Sequence, residues 1–170
     1  MKAIIGLSAA VLLALAGSAA AAGKGGDSDF VTKAAQGGME EVELGQLASS
    51  NAASADVKQF GQRMVTDHGK ANDELKSIAQ KSGETVPSEL SKKQEADKAR
   101  LSKLNGAEFD KAYMKMMVSD HKEDVAEFEK EAKSGKDADV KAFAAKTLPT
   151  LKEHLTMAED VEKRVASGKP

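Results

Sequence analysis

Cysteine and tryptophan are absent from this 170-residue chain, and it contains one tyrosine, five phenylalanines and three prolines. Without cysteine no disulfide can form, so packing alone must stabilise the fold. The 25 basic and 27 acidic residues leave a net charge of −2, and the few aromatic residues offer no basic aromatic surface for nucleic acid. No phosphate-binding glycine loop and no nucleophile–base pair occur, so nucleotide and hydrolase functions have no support.

The longest apolar stretch, residues 4 to 16, follows Lys2 and precedes small residues at 19 to 22. This is the pattern of a signal peptide, and the stretch is short for a membrane span of ~20 apolar residues. We predict a signal peptide over 1–22, a flexible leader over 23–28 and one domain over 29–167. We expect an exported protein, periplasmic or secreted in a bacterium, with no stable membrane insertion after cleavage.

Beyond the leader, apolar residues recur every three or four positions, which predicts an all-α fold. Ser54, Asn105 and Asp137 are the predicted N-caps, with Asn105 and Glu108 forming a capping box. Pro149 should kink the last helix. The predicted helices cover residues 29–51, 54–83, 88–104, 105–135 and 137–167.

The two halves of the domain repeat with an offset of 83 residues, as Ser54 and Asp137, Phe60 and Phe143 illustrate. Two related αα-hairpins joined by a long crossover are typical of a ferritin-like four-helix bundle. A simple up-and-down bundle would need only a short middle connection. The segment from about residue 83 to 105 is therefore predicted to be a helical crossover.

All three histidines of the chain, His68, His121 and His154, fall on the apolar faces of their predicted helices. Two of them follow similar segments, Met-Val-Thr-Asp-His at 64–68 and Met-Val-Ser-Asp-His at 117–121. Glu41 and its repeat mate Asp124 also lie on core faces. Counted from the turns near residues 53 and 136, these five residues lie 12 to 18 positions away, within one or two helical turns of one another.

Buried carboxylates and imidazoles are costly unless they are paired or ligate a metal. We therefore predict a metal site with Glu41, His68, His121, Asp124 and His154 as candidate ligands. Imidazole and carboxylate donors suit one divalent or copper ion, zinc or copper ahead of iron. Met64, Met117 and Met157 share faces with the histidines and would favour copper, although methionine at helical spacing is also ordinary core filling.

The chain resembles the bacterial family called domain of unknown function 4142 over about residues 29 to 165. The resemblance rests on segments in all four long helices: Phe30-Val31, Glu41-Val42-Glu43-Leu44-Gly45, Val57-Lys58-Gln59-Phe60, the two Asp-His segments, Phe109-Asp110 with Tyr113, and Thr147-Leu148-Pro149 with His154. It implies export and a ferritin-like fold, and leaves the biochemical role open.

Di-iron proteins of the wider ferritin-like group carry a Glu three residues before a histidine. Val65 and Leu151 occupy those positions here, so a di-iron oxidase is the third and weakest hypothesis. The leading hypothesis is a non-enzymatic bundle that binds a single metal ion, with a metal-buffering or envelope-stress role. The alternative is a metal-free structural or interaction bundle in whose core the imidazoles and carboxylates pair with one another. No role follows for Asp67 and Asp120, which precede two of the histidines.

Overall fold

The computed structural model describes residues 26–168, which form five α-helices and contain no strand. The all-α prediction is confirmed for these residues, whereas the predicted signal peptide and leader residues 23–25 lie outside them. None of the described helices is both long and apolar enough to cross a membrane. The helices are α1 (Gly26–Asn51), α2 (Ala55–Ser82), α3 (Lys92–Leu101), α4 (Gly106–Ser134) and α5 (Ala138–Ala166).

The four long helices pack side by side, α1 against α2 and α4, and α5 against α4 and α2. Ion pairs run in opposite order along neighbouring helices. Between α5 and α2, Arg164 meets Asp56 and Lys146 meets Glu74; α4 and α5 are paired in the same antiparallel way. Neighbouring helices are therefore antiparallel, and α2 and α4 point the same way. The segment between them must return along the whole bundle, and α3 does so lying against α1 and α4.

Two glycines let α1 and α2 approach closely. A Cβ added to Gly45 would lie 2.5 Å from the carbonyl oxygen of Gly61, and one added to Gly61 would lie 2.7 Å from the Cβ of Ala48. Real side-chain carbons do not come this near backbone oxygen, so only glycine fits. This contact fixes the height of α1 relative to α2, and hence the level at which Glu41 meets His68.

The interior consists of two apolar clusters at opposite ends of the bundle. One contains Phe60, Tyr113 and Met117, and the other contains Phe128 and Phe143. Glu41 of α1 and the three histidines lie between these two clusters. The polar residues thus form a layer in the middle of the bundle, where burial is nearly complete.

Two aspartates anchor the tight turns and extend the internal repeat. Asp110 accepts from the backbone N–H groups of Ala53 and Ser54, at 3.1 and 2.9 Å. Asp27 accepts from Lys136 and Asp137, at 2.9 and 2.6 Å. Asp27 and Asp110 are 83 residues apart, and so are the corresponding donors of the two turns, which is the offset of the internal repeat. The anchoring explains why α1 begins at Gly26, three residues before the predicted start, so that residues 26–28 of the predicted leader are helical.

Capping follows the predictions in part. Asp137 caps α5 as predicted by accepting from Asp139 and Val140, and Gly83 ends α2 in the left-handed conformation. The capping box predicted at Asn105 is wrong, because this side chain makes no cap bond; Ser91 and Gln94 form one at the start of α3 instead. The crossover helix is shorter than predicted, and α5 continues through Pro149.

Candidate metal centre

The three histidines meet in the central polar layer, one from each of α2, α4 and α5. Their ring centroids lie 5.3 to 5.6 Å apart, and the exposed fractions of His68, His121 and His154 are 6%, 0% and 1%. Each ring can place one nitrogen within 4.8 Å of the others. For three atoms this close, a common point lies no more than about 2.8 Å from each (the side divided by √3), near the zinc–nitrogen bond length of ~2.1 Å.

One nitrogen of each ring already has a partner that accepts a proton. His121 Nδ1 donates to the carbonyl oxygen of Met117 at 2.9 Å, and His154 Nε2 donates to Asp67 Oδ2 at 3.0 Å. His68 Nδ1 lies 2.7 Å from Glu41 Oε2. Because carbonyl and carboxylate oxygens only accept, the ring proton belongs on these three nitrogens.

The opposite nitrogen of each ring is buried and has no hydrogen-bond partner among residues 26–168. We call these atoms, His68 Nε2, His121 Nε2 and His154 Nδ1, the open nitrogens. In the tautomers fixed by their partners, each carries a lone pair. Metal-binding histidines show this same division, with one nitrogen on the metal and the other donating to a carboxylate or carbonyl.

Glu41 contacts the rings of His68 and His121, and its exposed fraction is 2%. Its second oxygen, Oε1, is 3.3 Å from His121 Nδ1. Neither oxygen has a hydrogen bond within the described part of the chain, so both contacts are ion-pair contacts only. Burial raises the pKa of Glu41, but the adjacent His68 and His121 more than offset this and keep the pKa below its ordinary value.

The environment favours neutral imidazoles. Burial lowers the pKa of His121, despite the opposing charge of Glu41. Burial also lowers the pKa of His154 to about 4, with the other two rings adding to the effect and Asp67 opposing it. Both rings are therefore unprotonated at neutral pH, which is the form that binds a metal.

Asp124, the fifth predicted ligand, is not part of the histidine group. It lies on α4 facing α1, where a Cβ on Gly37 would be 3.8 Å from Asp124 Oδ1. Burial, with the charges of Glu41 and Asp120 adding to it, raises the pKa of Asp124 well above its usual range. Ligation by Asp124 or Glu41 stays a prediction, since the contacts place Glu41 behind two rings and Asp124 beside Glu41.

A small cavity adjoins the histidines on the side of the second apolar cluster. Its volume is about 20 Å³, and its lining includes Glu41, His68 and Asp124. A space of this size holds about one water molecule. Of the three histidine rings, only that of His68 lines this cavity, which is too small for an organic substrate.

Sequence reasoning left Asp67 without a role, and the structure shows it as the acceptor that orients His154. Arg63 holds the carboxylate in place at 2.8 Å. The signal in the sequence was the ion-pair spacing of Arg63 and Asp67, four residues apart on one helix. Met64 and Met117 are fully buried in the apolar cluster next to the histidines, and Met157 packs against it.

Two solved structures share the fold of this chain. A DUF305 fragment from Deinococcus radiodurans superposes with a TM-score of 0.73 at 15% identity, over 84% of this chain and 98% of that chain. A DUF305 protein from Streptomyces coelicolor gives a TM-score of 0.70 at 12% identity, over 83% and 94%. At such low identity these likenesses show a shared fold alone.

No curated protein matches the chain in sequence. The profile of a family described as "Domain of unknown function (DUF4142)" matches residues 13–161. This range includes all three histidines and every carboxylate of the central layer. The chain therefore belongs to the DUF4142 family, as its sequence motifs predicted.

Proposed function

We propose that this protein binds one transition-metal ion through the open nitrogens of His68, His121 and His154. The single observation that carries the proposal is that each of the three buried rings has one nitrogen without a hydrogen-bond partner, while the other nitrogen bonds to an acceptor in His121 and His154 and contacts Glu41 in His68. A metal-free polar network is expected to satisfy its own buried groups, because each unpaired polar atom costs about 1–3 kcal/mol. A bound cation would be coordinated by all three open nitrogens at once.

The donor set favours zinc or copper(II), since three neutral imidazoles suit both ions. One nitrogen of each ring lies within 4.8 Å of the others, so small side-chain rotations would bring three imidazole nitrogens to bonding distance of one ion. Glu41 and Asp67 would stand behind the rings and balance the two positive charges of the ion. In this arrangement the ligands are the three histidines, and Glu41 and Asp124 act from outside the coordination sphere.

The proposed role is that of an exported, ferritin-like metal-binding or metal-buffering protein, and not an enzyme. The antiparallel helix pairs and the crossover helix support the ferritin-like arrangement, and the apolar segment before residue 17 supports export. The cavity beside His68 has a volume of about 20 Å³, enough for about one water molecule. Val65 and Leu151, in place of bridging carboxylates, disfavour a di-iron centre.

The direct test is the metal content of the purified mature protein after incubation with zinc or copper and removal of excess. We expect one equivalent in the wild type, measured by elemental analysis, and less than a tenth in His121→Ala. Asp73→Asn, which changes an exposed carboxylate on α2, is the matched control and should keep the full equivalent. A wild type that takes up less than a tenth of an equivalent would overturn the proposal in favour of a metal-free bundle.

A spectroscopic readout guards against metal held by surface carboxylates. Cobalt(II) bound by three imidazoles gives strong visible ligand-field bands, whereas cobalt on exposed oxygens stays weakly coloured. We expect these bands to saturate at one equivalent and to vanish in His68→Ala. Because the chain has no other histidine, imidazole ligation in the spectrum can come only from this site.

A further inference from the structure

An acidic cleft opens on the surface between α1 and α4, beneath the start of α3. Its volume is about 260 Å³. Two lysines, Lys33 and Lys93, also line it, so carboxylates outnumber ammonium groups three to one. The carboxylates are Glu40, Glu41, Asp120, Glu123, Asp124 and Glu127.

The lysines of this acidic cleft make their ion pairs with other carboxylates. Lys33 contacts Glu127, and Lys93 pairs with Asp97 at 3.0 Å; their side chains are 64% and 81% exposed. Both therefore sit at the mouth. Deeper in, Glu40 is only 7% exposed, and its Oε1 has no hydrogen-bond partner among the residues that the structure describes. Glu40 thus lines the cleft with an oxygen that no other residue of the described chain occupies.

The floor of the acidic cleft reaches the histidines. Glu41 lines the cleft and contacts His68 and His121 at 2.7 and 3.3 Å. Asp124 lines both the cleft and the small cavity that borders His68. Two carboxylates thus stand between solvent and the rings, without an intervening layer of apolar side chains.

We propose that the acidic cleft is the route by which a divalent transition-metal cation reaches the open nitrogens. This inference rests on the proposed function. A concave surface on which one sign of charge predominates concentrates counter-ions, and such steering raises association rates by about 10- to 1,000-fold. Carboxylate oxygens hold a hydrated cation weakly, so they pass it on to imidazoles that bind it more firmly. The ends of the bundle are closed by the two apolar clusters.

The rate of cobalt(II) uptake, followed by stopped-flow absorbance, tests this route. The double variant Glu123→Gln/Glu127→Gln removes two charges from the mouth and touches no histidine. Glu129→Gln/Glu159→Gln removes two charges elsewhere and serves as the control with the same net charge. At low salt we expect uptake by the cleft variant to slow about 10-fold relative to this control, and the difference to shrink in high salt.

A second variant blocks the acidic cleft without altering charge. Gly37 lines the wall within α1, and a Cβ there meets only Asp124 Oδ1, at an ordinary 3.8 Å. The longer side chain of Gly37→Leu would extend into the cleft. We expect cobalt association and dissociation both to slow, with little change in the equilibrium dissociation constant, since the histidines are unaltered.

The outcomes separate the route from the metal site. If cobalt binds the cleft variant and Gly37→Leu as fast as it binds the control, the acidic cleft is not the route, and the proposed function stands. If the wild type shows no imidazole-type cobalt spectrum, the proposed function fails and the route fails with it. Slower uptake at unchanged stoichiometry supports both.

Discussion

At the residue scale, two nearly identical local sequences lead to different roles. Asp67 and Asp120 each precede a histidine, yet Asp67 bonds to His154, whereas Asp120 faces the acidic cleft. Successive helical residues point about 100° apart, so each aspartate meets whichever helix lies on that side. For Asp67 this is α5, and for Asp120 it is α1. Asp67 thus orients a histidine ring, whereas Asp120 lines the acidic cleft.

The variant Asp67→Asn tests the orienting role. Asn can still accept from His154 Nε2, so the ring should keep its tautomer while losing the charge behind it. We expect zinc affinity to fall about 10-fold, as for other partners of metal-binding histidines. Titration calorimetry measures this, with Asp73→Asn as the control on the same helix. An unchanged affinity in both variants would show that Asp67 has no influence on the site.

Glu40 makes stability depend on pH. Burial raises its pKa to about 7, against an ordinary 4.5, so the folded protein retains this proton more firmly than the unfolded chain. Stability from this group is present below pH 4.5 and is lost as the pH rises through about 7. Because Gln cannot ionise, we expect Glu40→Gln to melt several degrees above the wild type at pH 8 and close to it near pH 4.5. Glu162→Gln, a change on α5 away from the acidic cleft, should show no such pH-dependent difference in thermal melting.

At the element scale, the contact between α1 and α2 sets the level of the polar layer. Glu41 lies one turn before Gly45, and His68 lies two turns after Gly61, so the distance between the helices at the glycines controls the Glu41–His68 contact. Helix pairs packed through small residues tolerate little added volume. The histidine geometry therefore depends on residues that do not touch it.

Gly45→Ala should disrupt this packing. Its new Cβ would meet the Gly61 carbonyl oxygen at 2.5 Å, and backbone cannot move aside as a flexible side chain does. We expect a loss of about 2 kcal/mol in the free energy of unfolding, in the range found for overpacked cores. Urea denaturation measures it.

Gly69→Ala is the matched control on α2, since nothing lies within 4 Å of its added Cβ. There we expect a gain of about 0.5–1 kcal/mol from the better helix former. Equal effects of the two substitutions would refute the close-packing argument.

At the scale of the whole molecule, the site joins three helices that are distant in sequence. His68, His121 and His154 belong to α2, α4 and α5, and the two apolar clusters lie on either side of them. A metal bound only by the folded arrangement adds its binding free energy to stability. Metal binding should therefore be visible in global unfolding as well as in the local spectrum.

With free zinc at 100 times its dissociation constant, we expect the wild type to gain about 2.7 kcal/mol of stability. For a domain of this size this corresponds to a rise of roughly 5–10 °C in melting temperature. His121→Ala should melt at the same temperature with and without zinc. Differential scanning calorimetry makes the comparison, and a similar zinc-induced rise in the variant would mean that the ion stabilises the bundle elsewhere.

The sequence by itself determined the helices, their buried faces and the presence of all three histidines on those faces, because helical periodicity is a local property. It also predicted their meeting, since distance from a tight turn fixes height along a hairpin. The internal repeat did not predict the site, because His68 corresponds to Leu151 and His121 to Gly38. The histidines break the symmetry that relates the two halves.

Only the tertiary structure decided which nitrogen of each ring is held and which is open. This depends on acceptors from other helices and from the preceding turn, and on the rotation of each helix about its axis. The same holds for the acidic cleft, which exists because α3 crosses over the groove between α1 and α4. Local sequence determines which face of a helix is buried, whereas packing between helices determines what that face meets.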